Sequence, residues 1–284
     1  MKKSQGACGY FGSLQPEVAL MYTLKKSLGQ HFLRDENISR KIVAAVLESP
    51  AFQGSGGEAS LEDVAVPLLE VGPGAGALTK YFLEAKNIDL RAVELDEEKV
   101  QYLEQTYPAL KGKILHGSIL EIPPPFKGKF TVVGNFPYNI STQILFRMLE
   151  WKADIATMTG MFQKEVAQRV AASEGSKTYG VLSVLIRAFF DVDYLFEVSE
   201  QCFTPPPKVK SAVIRLTPRA TQAEMQDERR FFLLVKTAFN QRRKTLRNAV
   251  KALFEPAILE DPLFNKRAEQ LSVDDFAALT WKMR

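Results

Sequence analysis

The chain has 284 residues, 46% hydrophobic and 25% charged, with 37 Lys and Arg against 33 Asp and Glu. That size and balance fit a globular protein of one large or two unequal domains, and no apolar run approaches the roughly 18 residues of a membrane span. Cys8 and Cys202 are too few for a disulfide framework and point to a reducing, cytoplasmic setting, and with His31 and His116 they show no metal-ligand spacing.

Met1 to Leu24 carries basic residues but no apolar core and no small-residue cleavage site, so no signal peptide is expected. Residues 1–22 read as a poorly ordered extension, and Met21 as a second possible start. Thr23 to Leu33 is a basic loop with apolar anchors that leads into a helix near Glu36 to Leu47. Ser49 to Asp63, rich in Gly and Ser, reads as a surface loop. Val64 to Val71 is a strand of the buried type, with Gly72-Pro73-Gly74-Ala75-Gly76 at its end and a helix near Ala77 to Ala85.

Strand and helix signals then alternate. Strands are expected over Asp89–Leu95, Lys113–His116, Phe130–Val133 and Ile155–Phe162. Helices are expected over Asp96–Thr106, from a capping Ser141 to Leu149 or Glu150, over Lys164–Ala172 and over Tyr179–Phe189. Val192–Glu197 and Val209–Leu216 read as antiparallel closing strands. This alternation predicts a mostly parallel sheet with helices on both faces.

After Pro218 the strand signals stop, and helices are expected near 227–239, 244–253 and 273–283. The domain boundary is placed near Pro218 to Gln226, giving a catalytic domain over 23–218 and a helical domain over 219–284. From Ser199 onward there are 16 Lys and Arg against 10 Asp and Glu, whereas the preceding residues are slightly acidic overall. A basic tail on a mildly acidic body suits a polyanionic partner.

Two motifs carry the chemistry. Glu70 to Gly76 follows a strand and opens a helix, and its glycines let the backbone approach a ligand. The spacing is G-x-G-x-G with Pro73 inside it, and Glu94 stands 18 residues after Gly76 at the end of the next strand, where a carboxylate can take two ribose hydroxyls. A nucleoside cofactor without pyrophosphate fits: S-adenosylmethionine matches, and NAD is the competing reading.

The second motif, Val132 to Tyr138, ends a strand in Asn135-Phe136-Pro137-Tyr138. Pro137 fixes its own φ and holds Phe136 extended, which sets the direction of the Phe136 carbonyl. The Asn135 side chain and that carbonyl offer two acceptors to the hydrogens of an aryl amine, and Tyr138 offers a stacking face. Accepting both N–H bonds draws the nitrogen toward tetrahedral geometry and frees its lone pair, which is stabilisation aimed at the transition state. A dehydrogenase has no use for such an amine cradle, so the methyl donor is favoured.

Taken together, the chain resembles the ribosomal RNA adenine N6,N6-dimethyltransferases, the KsgA-type enzymes, from about Leu28 to Ala249 with a weaker helical tail. The resemblance rests on Gly29–Leu33, Glu70–Gly76, Val93–Asp96, Gly134–Thr142, Gln163–Val166, Phe203–Ser211 and Phe239–Thr245. It implies a Rossmann-like seven-stranded methyltransferase sheet with a small C-terminal helical domain. It also implies transfer of two methyls to each of two adjacent adenines near the 3′ end of small-subunit rRNA, late in subunit assembly.

By this pattern His31, Leu33, Gly72, Gly74, Gly76, Glu94, Ser118 and Asn135 contact the donor. Ser118 departs from the Asp usual there; a neutral hydroxyl bonds the cofactor amine more weakly than a carboxylate, so a modest loss of donor affinity is expected. Phe203, set by its Pro run, is expected to close the second face of the target base. Arg242, Arg243, Lys244 and Arg247 are expected to meet rRNA phosphates, with Lys208, Lys25 and Lys26 adding contacts from the catalytic side. A monomer without a bound metal is expected. Three other readings stay open: a large-subunit rRNA dimethyltransferase of the antibiotic-resistance type, a DNA adenine methyltransferase, and an assembly factor whose catalysis is secondary.

Overall fold

The computed structural model describes residues 31–53 and 65–284. The expected extension over 1–22, Lys25, Lys26 and most of the 49–63 loop lie outside the described residues. The strands are β1 (Phe32–Leu33), β2 (Val66–Val71), β3 (Ile88–Glu94), β4 (Ile114–His116), β5 (Phe130–Asn135), β6 (Ile155–Gln163), β7 (Phe190–Val198), β8 (Phe203–Thr204) and β9 (Ser211–Pro218). Seven of them form one sheet in the order β4-β3-β2-β5-β6-β9-β7, parallel from β4 to β6. β9 runs antiparallel to both β6 and β7, so the later of the two closing strands inserts inside the earlier one. β1 and β8 pair separately, with Leu33 opposite Phe203.

Successive strand residues point to opposite faces, and the core divides accordingly. Leu68, Val133, Met161 and Val213 lie in one apolar cluster, while their neighbours Leu69, Val132, Phe162 and Ile214 lie in the other. The first cluster is covered by α1 (Glu36–Leu47) and α3 (Thr79–Glu84), through Ile42, Val43, Val46 and Phe82. Asp35 caps α1, its side chain accepting from the amides of Asn37 (2.9 Å) and Ile38 (3.2 Å). α2 (Pro50–Gln53) follows directly, so the expected loop begins as a helical turn, with Ser49 fully buried beside Thr157. α4 (Glu97–Thr106) begins at Asp96, after β3.

The second cluster is covered by α5 (Ser141–Glu150), α6 (Lys164–Ala171) and α7 (Val181–Arg187). The helix expected over 179–189 is shorter because Tyr179 packs as a buried aromatic before it and Phe190 already belongs to β7. Ser141 does not cap α5: it is the first helical residue, and its hydroxyl donates to the carbonyls of Pro137 and Tyr138, both at 3.1 Å. It thereby ties the Pro137–Tyr138 turn to the helix. Past Pro218 the described residues form no named strand, but α8 (Glu228–Asn240), α9 (Leu246–Val250) and α10 (Val273–Thr280). α8 packs on α7, α9 and α10, and Phe239 meets Tyr179 (6.0 Å between ring centres) and Phe276 (5.9 Å). The C-terminal helices thus share one apolar cluster with the sheet.

Candidate active site

Chain order reverses about β2: β3 and β4 lie to one side, β5 and β6 to the other. In open α/β sheets ligands bind outside the carboxyl ends of the strands at such a point. The cavity there is lined by His31, Leu33, Glu70, Gly72, Gly74, Glu94, Ser118, Asn135, Phe136, Pro137 and Tyr138, among others. Residues from five separate stretches of chain therefore converge, and most were expected from the sequence.

The glycine turn forms the floor. Gly72 has φ +65° and open space where a Cβ would stand, so a ligand can lie against bare backbone. Glu94 is buried at the end of β3, its two oxygens accepting from the amides of Gly74 (3.3 Å) and Asp96 (3.0 Å). Those bonds aim a carboxylate into the cavity. A strongly held carboxylate beside an open glycine turn fits the ribose of S-adenosylmethionine. Ser118 also lines the cavity, its Oγ already accepting from the Leu120 amide at 3.2 Å.

The cradle forms the wall. Asn135 ends β5, and its Nδ2 donates to the His31 carbonyl at 3.2 Å, while no donor among the described residues reaches its Oδ1. The Phe136 amide donates to the Met161 carbonyl (3.2 Å), and no donor among the described residues reaches the Phe136 carbonyl oxygen. The Phe136 ring is buried against Phe162, 5.0 Å between ring centres. Asn135, Phe136 and Tyr138 thus all line the cavity from one turn at the end of β5. Burial holds the Tyr138 phenol above its ordinary pKa against the opposing Ser211 bond, so the ring stays neutral.

A family model described as ribosomal RNA adenine dimethylase matches residues 21–281. The chain belongs to that family. A Bacteroides thetaiotaomicron protein named ribosomal RNA small subunit methyltransferase A is 51% identical over 90% of this chain and 92% of its own. A Cytophaga hutchinsonii protein of the same name is 48% identical, over 90% and 95%. Among solved structures, a dimethyladenosine transferase from Plasmodium falciparum has a TM-score of 0.67 at 22% identity, covering 87% of this chain and 94% of that one. The 23S rRNA methyltransferase ErmE has a TM-score of 0.65 at 22% identity, covering 89% and 99%. Both have the fold of this adenine dimethylase.

Four residues stand differently from their expected roles in the dimethylase. Gly76 does not line the cavity: with φ +85°, its Cβ position lies 2.5 Å from Tyr107 Cε2, so it is glycine to admit that ring. The Phe203 ring is 1% exposed, in the same apolar cluster as Val198 and Val213, and does not line the cavity either. The basic cluster divides: Arg242 is held by Glu269 (2.6 Å) and the Lys177 carbonyl (2.7 Å), and Arg247 stands 3.9 Å from Glu260. Arg243, Lys244 and Lys208 remain exposed.

Glu70 was legible only as part of the glycine motif. It lines the cavity, fully buried, and accepts from the Thr79 hydroxyl at 2.6 Å. Burial, aided by nearby Glu94, raises its carboxyl from 4.5 to about 7. A raised folded-state pKa penalises the ionised form. Wild-type stability should therefore fall as pH rises from about 4.5 to 7 and level off above that. Without donor, Glu70→Gln should melt like wild type near pH 4.5 and be more stable above pH 7, by up to about 3 kcal/mol. Thermal melts from pH 5 to 8 check this; a gap independent of pH would show that the carboxyl is not raised.

Proposed function

We propose that the enzyme transfers two methyl groups to the N6 amine of each of two adjacent adenines near the 3′ end of small-subunit rRNA. It does so late in subunit assembly, in the cytoplasm and as a monomer. The observation that carries this reading is the pair of acceptors, Asn135 Oδ1 and the Phe136 carbonyl, beside the cavity floored by Gly72 and Glu94. S-adenosylmethionine supplies a methyl group on a sulfonium, already activated for displacement.

The chain's own residues position and polarise the acceptor. Asn135 and Phe136 accept the two N–H bonds of the adenine, and Tyr138 stacks on its face. Base–aromatic stacking contributes about 1–3 kcal/mol. With the donor bound, the nitrogen whose lone pair the cradle frees would accept the methyl group and pass one N–H proton to water. For the second transfer the base presents one N–H and one methyl.

The target base must be unpaired or leave its stack, which suits single-stranded RNA. Arg243, Lys244 and Lys208 are exposed cations within the family motifs, and phosphates are their partners in this reading. The small subunit is favoured over the large by the relatives near half identity, all carrying the small-subunit name. Primer extension on small-subunit rRNA after incubation with the donor tests the proposal. Stops at two adjacent adenines near the 3′ end are expected. Stops only on large-subunit rRNA, or methylation of duplex DNA alone, would overturn it.

A further inference from the structure

Ser211 opens β9 opposite Gln163 on one side and Val198 on the other, and is fully buried. A hydroxyl enclosed between two strands is costly unless bonded. Its partner is the Tyr138 hydroxyl, 2.5 Å away. The same ring meets the His31 imidazole, 5.5 Å between centres and inclined at 32°. His31 is itself fixed, with Nδ1 2.9 Å from the Pro205 carbonyl and its own carbonyl accepting from Asn135 at 3.2 Å. The Tyr138 ring is therefore held at its tip by β9 and across its face by a residue that also orients the amine acceptor.

We propose that Ser211 is a positioning residue that fixes the plane of the Tyr138 ring, and that the second methyl transfer to a given adenine depends on it more than the first. The proposal rests on the reading that Tyr138 stacks on the target base. In the first transfer two N–H bonds and the stack orient the base. After one methyl, a single N–H remains, so the stacking plane carries a larger share of the alignment. In-line displacement is steep in angle and distance. A ring free to rock should let the first methyl through and hinder the second.

The test uses the full chain with small-subunit rRNA and quantifies N6-monomethyl- and N6,N6-dimethyladenosine in nuclease digests over time. Ser211→Ala should slow the second transfer about tenfold relative to the first, the scale of one lost hydrogen bond, so that monomethyladenosine accumulates. Tyr138→Phe breaks the same bond from the other side and should reproduce this, even should Ser211→Ala fail to fold. The double variant should be no worse than either single one. A merely structural loss of folded enzyme slows both transfers together and leaves the monomethyl-to-dimethyl ratio alone when it is compared at equal total methyl incorporation. A wild-type ratio in both single variants, or effects that multiply in the double variant, would overturn the proposal. Tyr138→Ala separates it from the reading beneath it. If that variant methylates like wild type, the stacking role itself falls; if it loses both products while the single variants keep the wild-type ratio, only the role of Ser211 falls.

Discussion

Replacing Asn135 with alanine should lower single-turnover methyl transfer by at least about 10²-fold, the usual scale for removing one aligned transition-state partner. RNA binding should stay within about threefold, and donor affinity, to which Asn135 is also expected to contribute a contact, should fall less than the rate. The adenine amine is a poor nucleophile because its lone pair is delocalised into the ring. Oδ1 and the Phe136 carbonyl together can draw it out; a single acceptor leaves the nitrogen nearly planar. Only the side-chain acceptor is open to substitution, and its direction is fixed by the Nδ2 bond to His31. Alanine also exposes the His31 carbonyl, but that group can turn to water, so the fold should lose little. Single-turnover rates at saturating donor, with calorimetry on the demethylated product and filter binding of RNA, check each part. Turnover within threefold of wild type would mean that the amine is activated elsewhere.

What the sequence disclosed follows from how locally each feature is determined. The strand ends bearing Glu94 and Asn135 could be read because a short apolar run and a following turn lie within a few residues of each other. The direction in which a side chain finally faces is set by partners far along the chain. Phe203 looked like a stacking residue beside its prolines, yet the apolar cluster that buries its ring includes residues as distant as Leu33, 170 residues away. Gly76 looked like a ligand contact, and only the placement of Tyr107 after α4 gives it a different task. Arg242 read as one of four equivalent cations, because nothing near it in sequence announces Glu269 or the Lys177 carbonyl. His31, expected to touch the donor, proves also to orient Asn135 across 104 residues, a role no local pattern encodes.

Gly160→Ala should be the most damaging substitution outside the cavity lining. Gly160 on β6 stands opposite Gly134 on β5, and the Phe136 ring lies over the space both leave. An added Cβ at 160 falls 2.1 Å from Phe136 Cε2 and 2.9 Å from Phe162 Cε2; at 134 it falls 2.8 Å from Phe136 Cε1. The ring cannot yield, because it is 1% exposed and packed on Phe162. Alanine must therefore push the ring and, through it, the backbone between Asn135 and Pro137 that carries the amine acceptors. Overpacking of this kind costs about 1–3 kcal/mol, so the melting temperature should fall by several degrees. The rate should suffer more than the fold, since a displacement of about 1 Å in a reacting group can cost 10²-fold. Donor affinity should change least, because Glu94 ends β3 and Gly72 follows β2, away from β5 and β6. Methyl transfer by folded Gly160→Ala protein at the wild-type rate would show that the cradle is held by something other than the seat of this ring.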